Sequence, residues 1–303
     1  HRRAGRIVYI PLVNNADGSV LSRVRACSIA RAVLDHNRRH PDNPAWVVAD
    51  DVYAGSHLCT EVTPQPIAAL AGADLGDDHL GVMSDHTVTI TTPSKTVALP
   101  TSRVAFATTT RATMRAALAH YRTVFSFGRV PQTGELSGLA ALCLTPQTWI
   151  DSWNAEYRRR LTVLNAALEA INQELRCEVY QAPRPEGGWY FALRVARHLF
   201  PADVVSAVHA CAVLLHYGQG RRDSGVAMLP GELFGHGLGR PEQWLTLRGS
   251  LAVSCDDLQV CVERLREVAL LLRGPHGPHA VRHALARARS IADLDQVLAQ
   301  RRY

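Results

Sequence analysis

Short apolar runs alternating with helical periodicity constrain this chain more than any other feature. Residues 7–13 (IVYIPLV) and 45–49 (AWVVA) are strand-length apolar runs, and residues 87–91 (TVTIT) and 104–108 are two further strand candidates. Residues 20–36 repeat their apolar positions at helical spacing, after a turn built on Asn14, Asn15, Asp17 and Gly18. Strands separated by helical stretches predict an α/β fold, a mostly parallel sheet sandwiched by helices and joined by right-handed crossovers. In such sheets ligands sit beyond the carboxyl ends of the strands. Asn14, Asn15, Asp50, Asp51 and the stretch 92–95 all fall at such ends.

The second half changes character. Residues 110–125 and 138–143 read as helices, and 147–175 as one long helix with apolar positions on one side and arginines on the other. Strand candidates follow at 177–180, 189–195, 226–229 and 244–253, with helices at 202–215 and 256–272. The break Gly274-Pro275-His276-Gly277-Pro278 precedes a basic helix from about 280 to 301. The expected domains are therefore 1–145, a smaller α+β domain at 146–272, and a basic helical tail at 273–303.

Charge and cysteine usage narrow the partners. The formal net charge is +6, but the arginines are scattered, and their densest run, Arg158-Arg159-Arg160, fits a solvated helix face. No nucleic-acid partner is expected. No apolar run is long enough to span a membrane, and the basic start leads into a strand-length run too short for a signal peptide. The seven cysteines are odd in number and contain no CxxC pair, which predicts reduced, mostly buried thiols in a cytoplasmic protein. Of the 33 basic residues one alone is lysine, Lys95. Arginine stays protonated and delocalised, whereas a lysine amine can lose its proton and attack a carbonyl. Codon bias with one leftover lysine explains the count equally well.

Four segments then fall in a telling order: Asn15-Ala16-Asp17-Gly18, Asp50-Asp51-Val52-Tyr53, Thr92-Pro93-Ser94-Lys95, and Arg103 eight residues after Lys95. Together they resemble the class I/II aminotransferases, pyridoxal-phosphate enzymes of fold type I. The resemblance continues through residues 186–190 (EGGWY), 230–235 (PGELFG) and 247–252 (LRGSLA), and covers roughly residues 7–272. It implies a large cofactor-binding domain, represented here by its C-terminal part, followed by the family's small domain. It implies pyridoxal 5'-phosphate as cofactor, with Lys95 forming the internal aldimine and shuttling the Cα proton. Asp50 would face the ring nitrogen, and Tyr53 and Asn15 the ring 3-oxygen. Thr92, Ser94 and Arg103 would hold the phosphate, and Arg248 the substrate carboxylate. The bland readings stay open: Asp50 as a helix cap, Asp51 as ring partner after a one-residue shift, Thr92 and Ser94 as caps only, Arg103 in a surface ion pair, Arg248 snorkelling from its strand.

The departures are Ala16-Asp17 where the family has Pro-Thr, and Ala105 where it has Gly. The family also carries a long segment before the Asn turn, with a glycine-containing phosphate loop and a ring-stacking aromatic. Neither is visible before Arg6, so the chain reads as incomplete or truncated, and alone it would offer a half-built pocket and an exposed edge of the sheet. The resemblance implies amino-group transfer between an amino acid and a 2-oxo acid, in a homodimer. Residues 94–139, including Ser126-Phe127-Gly128, are also similar to aminocyclopropane-carboxylate synthase, which keeps elimination, cyclisation or oxidation in specialised biosynthesis open. A non-catalytic cofactor-binding regulator domain or a decayed remnant is the third reading. No metal is expected: His276, His279 and His283 lie about a Gly/Pro-rich break without carboxylate or cysteine support. Gly235-His236-Gly237-Leu238-Gly239 lacks the context of a nucleotide loop, and Ser22 and Ser126 lack that of a nucleophile elbow.

Overall fold

The computed structural model describes residues 6–59, 61–125, 130–218, 225–235 and 243–291. Two compact units emerge: His1–Ala155 with Glu186–Gly188, and Glu156–Pro185 with Trp189–Tyr303.

The first unit is built on a four-stranded sheet. Its strands are β1 (Arg6–Pro11), β2 (Ala45–Asp50), β3 (Thr87–Thr91) and β4 (Phe106–Thr108), paired in that order. The β1–β2 and β2–β3 pairings are parallel, so their carboxyl ends share one edge of the sheet. The α/β class with a mostly parallel sheet is as the sequence implies. The fourth strand departs from it: β4 runs antiparallel to β3. Between them the chain makes only the four-residue helix α2 (Pro93–Thr96) and one tight turn at Pro100–Ser102, too little for a parallel crossover.

Helix α1 (Arg23–Arg39) joins β1 to β2 and starts three residues later than its periodicity suggests. Val20 bridges to Val13, and Leu21 donates to the Leu12 carbonyl, so these residues are spent on a turn-back against the end of β1. Ser22 then caps the helix by accepting from the Arg25 amide. The apolar run of 7–13, which by itself has the pattern of a buried strand, is mostly exposed where it forms β1. Ile7 is 72% and Tyr9 62% exposed, and Ile10 is the buried residue of the strand. Among the described residues β1 pairs with β2 alone, so an apolar run that reads as central occupies an edge. Helix α3 (Ala112–Phe125) has no buried residue, and Tyr121 and Phe125 stack at 5.6 Å on its exposed surface. Helix α4 (Gln132–Leu144) touches the turn after α2 so closely that a Cβ on Gly134 would lie 2.2 Å from the Ser102 carbonyl oxygen. Only glycine fits there, and this contact backs the loop that carries Arg103.

The second unit holds α5 (Gln147–Leu175) from Glu156 onward and a second sheet, ordered β5-β6-β8-β7 and antiparallel throughout. Its members are β5 (Tyr180–Gln181), β6 (Tyr190–Ala196), β7 (Leu229–Pro230) and β8 (Trp244–Ser250). Leu193 and Leu247 face each other across β6 and β8 in full burial. Helices α6 (Ala207–His216), α7 (Cys255–Arg273) and α8 (Gly277–Ile291) complete the unit, with α8 packed on both others. The tail helix foreseen to residue 301 is thus seen as α8, and residues 292–303 lie outside the described residues, as do Ser126-Phe127-Gly128 and residues 236–242.

Two further expectations are corrected here. The side chain of Arg160 is only 11% exposed and pairs with Glu156. It also donates to the carbonyls of Leu251 and Val253, so the arginine run is partly structural, because i,i+4 spacing turns Arg160 back onto the unit. The seven cysteines are free thiols, but Cys143 is exposed and the other six are half-buried rather than buried. No helix among the described residues is long and apolar enough to cross a membrane, and no group of three or more His, Cys, Asp or Glu there could hold a metal.

Candidate active site

Three parallel strands deliver three polar segments to one edge of the first sheet. After β1 the chain turns through residues 14–19, closed by the Asn14 amide donating to the Ser19 carbonyl at 2.8 Å. The side chains of Asn14 and Asp17 accept from the amides of Ala16 and Ser19, each at 2.9 Å. Asn15 points its Nδ2 to the Tyr53 hydroxyl, 2.7 Å away. Tyr53, just past β2, is 2% exposed. Lys95, near the end of α2 after β3, carries its Nζ 5.9 Å from the centroid of the Tyr53 ring. Asn15 and Lys95 are thus both brought against Tyr53.

A second segment, remote in sequence, steadies this edge. The Glu186 carboxylate accepts from the Val20 amide at 2.9 Å, and the amides of Glu186 and Gly187 donate to the Gly18 carbonyl. The Glu186 carbonyl in turn accepts from the amides of Leu58 and Cys59. Gly188, in the left-handed region at φ +70°, passes over the Tyr53 ring, where a Cβ would sit 3.8 Å from Cδ1. Asn154, buried, holds the same loop by donating to the Gly55 carbonyl at 2.8 Å and accepting from the His57 amide at 3.1 Å. Sequence reading missed Asn154: an Asn in a long helix carries no signal of the loop it holds.

The two carboxylates of the β2 end separate into different environments. Asp50 is half-buried, its Oδ1 accepting from the Val52 amide at 3.3 Å and its Oδ2 from the Tyr9 hydroxyl. Asp51 extends the ladder through its amide to the Ile90 carbonyl at 2.9 Å, with its side chain 7% exposed. Burial, and after it the charge of Asp50, pushes the Asp51 carboxyl up to about 6. A carboxyl whose folded pKa is raised favours the protonated folded chain, so its contribution is full below about 4 and is lost as pH rises through about 6. Asp51→Asn is therefore expected to stabilise the protein by about 1 kcal/mol at pH 7, after allowance for solvent screening, and not at pH 4. Urea denaturation midpoints at the two pH values check this.

The remaining sequence candidates divide. Thr92 caps α2: its hydroxyl accepts from the Ser94 amide at 3.1 Å and donates to the Val104 carbonyl at 2.6 Å. Ser94 follows it in the first turn of α2. Arg103 lies three residues before β4. It ends the Pro100–Ser102 turn in the left-handed region at φ 52°, exposed, with its guanidinium donating to the Pro100 carbonyl at 3.1 Å. Arg248, in the second unit, lies in β8 with its guanidinium carbon 4.2 Å from the ring centroids of both Tyr190 and Phe234. Two aromatic faces thus clamp it.

The family model for aminotransferase class I and II matches residues 2–265. The chain belongs to that family. No curated protein sequence matches it. Among solved structures, N-succinyldiaminopimelate aminotransferase from Mycobacterium tuberculosis aligns over 86% of this chain and 58% of its own, at 19% identity and a TM-score of 0.66. The aromatic aminotransferase of Pyrococcus horikoshii OT3 aligns over 87% and 59%, at 20% identity and 0.65. The aspartate aminotransferase of Thermotoga maritima aligns over 86% and 56%, at 17% identity and 0.62. These likenesses establish the aminotransferase fold, and the chain spans somewhat under three fifths of the length of each of these structures.

Proposed function

We propose that this chain is part of a pyridoxal-phosphate-dependent aminotransferase that moves an amino group between an amino acid and a 2-oxo acid, with the cofactor held on Lys95. The observation that carries the reading is the Asn15–Tyr53 hydrogen bond of 2.7 Å beside the Lys95 amine, 5.9 Å from the same phenol ring. The donor set fits the cofactor: a primary amine for its aldehyde, an amide and a phenol converging for one oxygen, a carboxylate for a ring nitrogen, and hydroxyl and guanidinium groups for a phosphate. Bound there, the cofactor supplies an electron sink for the substrate Cα.

The chain's own residues do the rest. The Lys95 amine takes the Cα proton and returns it. Asp50 holds a proton at the ring nitrogen. Tyr53 and Asn15 hold the ring oxygen, and Tyr53, sealed under Gly188, keeps water from that side. Ser94 and Arg103 hold the phosphate. Thr92, whose hydroxyl is engaged at both ends, shapes the turn that carries Ser94 and Lys95. Arg103 supports the reading in another way: a non-glycine residue in the left-handed region costs on the order of 1 kcal/mol, and such strain clusters at ligand clamps. Arg248 pairs with the substrate carboxylate, its plane fixed by Tyr190 and Phe234 so that its N–H edge is set for a two-pronged bond.

In these terms residues 1–145 form the C-terminal part of the large cofactor-binding domain, 146–272 the small domain and 273–303 a basic tail. The exposed apolar side chains of β1, α3 and α4, Ile7, Tyr121, Phe125 and Leu139 among them, support association with a second copy in a homodimer. The test is a panel of amino acids added to the protein with its cofactor bound. A matching 2-oxo acid should form and the cofactor should be recovered in its amine form. A cofactor-loaded protein that converts every donor tried by elimination or cyclisation, with no oxo acid, would overturn the transfer reading.

A further inference from the structure

Tyr9 had no role in the sequence pattern, yet its hydroxyl donates to Asp50 Oδ2. The register explains how. Tyr9 pairs with Val48 across the parallel β1–β2 ladder, and Asp50 lies two residues beyond Val48 on the same face, within diagonal reach of a long side chain. The second carboxylate oxygen, Oδ1, accepts from the Val52 amide at 3.3 Å. Both oxygens of Asp50 are thereby held, one from each side, and the carboxylate plane has little freedom left. Partial burial, with the hydrogen bond to Asp50 and the charge of that carboxylate adding to it, pushes the Tyr9 phenol up to about 12, so it keeps its proton and remains a donor throughout the neutral range.

We propose that Tyr9 is a positioning residue for Asp50, orienting the carboxylate toward the ring nitrogen of the cofactor. This rests on the reading that Asp50 faces that nitrogen. Tyr9 acts through Asp50 and makes no contact with substrate. Its ring is mostly exposed, so Tyr9→Phe removes one hydroxyl from the surface and leaves the sheet packing as it was.

The test compares the parent protein with Tyr9→Phe in equilibrium dialysis against pyridoxal phosphate and against its 1-deaza analogue, in which carbon replaces the ring nitrogen. Loss of one hydrogen bond to a charged group predicts affinity for pyridoxal phosphate lower by about fivefold or more. Affinity for the deaza analogue should be unchanged, because there is no nitrogen for Asp50 to meet. Equal weakening toward both ligands assigns Tyr9 a merely structural role and overturns the inference, as does no change toward either. A parent protein that binds neither ligand overturns the cofactor reading itself, and this inference with it.

Discussion

Replacing Lys95 with alanine is expected to abolish the visible absorbance that pyridoxal phosphate gives on binding and to lower amino-group transfer by roughly 10³-fold or more. The loss would be compound, because on the proposed reading one nitrogen both anchors the cofactor and moves the proton. Lys95→Arg separates charge from chemistry: it restores the cation beside the Tyr53 ring but offers no attacking amine, and it should be as inactive as the alanine variant. The chain is unusually suited to this measurement. With one lysine in 303 residues, borohydride treatment of the loaded protein should fix the cofactor's mass on a single internal peptide. An unchanged band in Lys95→Ala, or the mass on another segment, would sink the assignment.

The second large effect is expected at Asp50. Asp50→Ala should lower kcat/KM by about 10²–10³-fold, the usual scale for losing a fixed charge at a reacting centre. Asp51→Asn, one residue away, should leave turnover close to the parent. The contrast follows from the strand. Successive side chains point to opposite faces, so adjacent carboxylates at one strand end cannot serve one ring. Asp50 turns to the face of Tyr9 and has both oxygens in hydrogen bonds, whereas Asp51 is buried and is pushed toward its neutral form. Steady-state kinetics of the two variants decide between them. Equal losses, or the larger loss at Asp51, would shift the ring partner by one residue.

Much of this site was legible because strand ends in a parallel sheet are local features. The turn at Asn15, the Asp50–Tyr53 spacing and the segment before Lys95 are each encoded within a few residues, and parallel pairing alone brings them to one edge. Long α5 was equally plain, since its apolar period runs unbroken from Gln147 to Leu175. What stayed hidden depends on register and on partners. Tyr9 reaches Asp50 only because Tyr9 meets Val48, which no local pattern specifies. That β1 is the exposed strand is not written in its own residues either, because an apolar strand has one composition whether it is central or at an edge; the exposed edge was expected only from what the resemblance implies. The direction of β4 depends on a connection whose brevity shows only once α2 ends at Thr96. The left-handed backbone of Arg103 was hidden as well, since nothing in its sequence announces it.

The return of Glu186–Gly188 to the first unit bears on how the protein can be made. The bond from the Val20 amide to the Glu186 carboxylate joins residues 166 positions apart, and the segments flanking 186–188 belong to the other unit. During synthesis the Asn15 turn and the Tyr53 loop emerge before their clasp and lack it until that distant tripeptide has left the ribosome. A nascent chain halted after Ala155 would lack that clasp, so the turn and the loop it fastens wait on a segment 166 positions downstream.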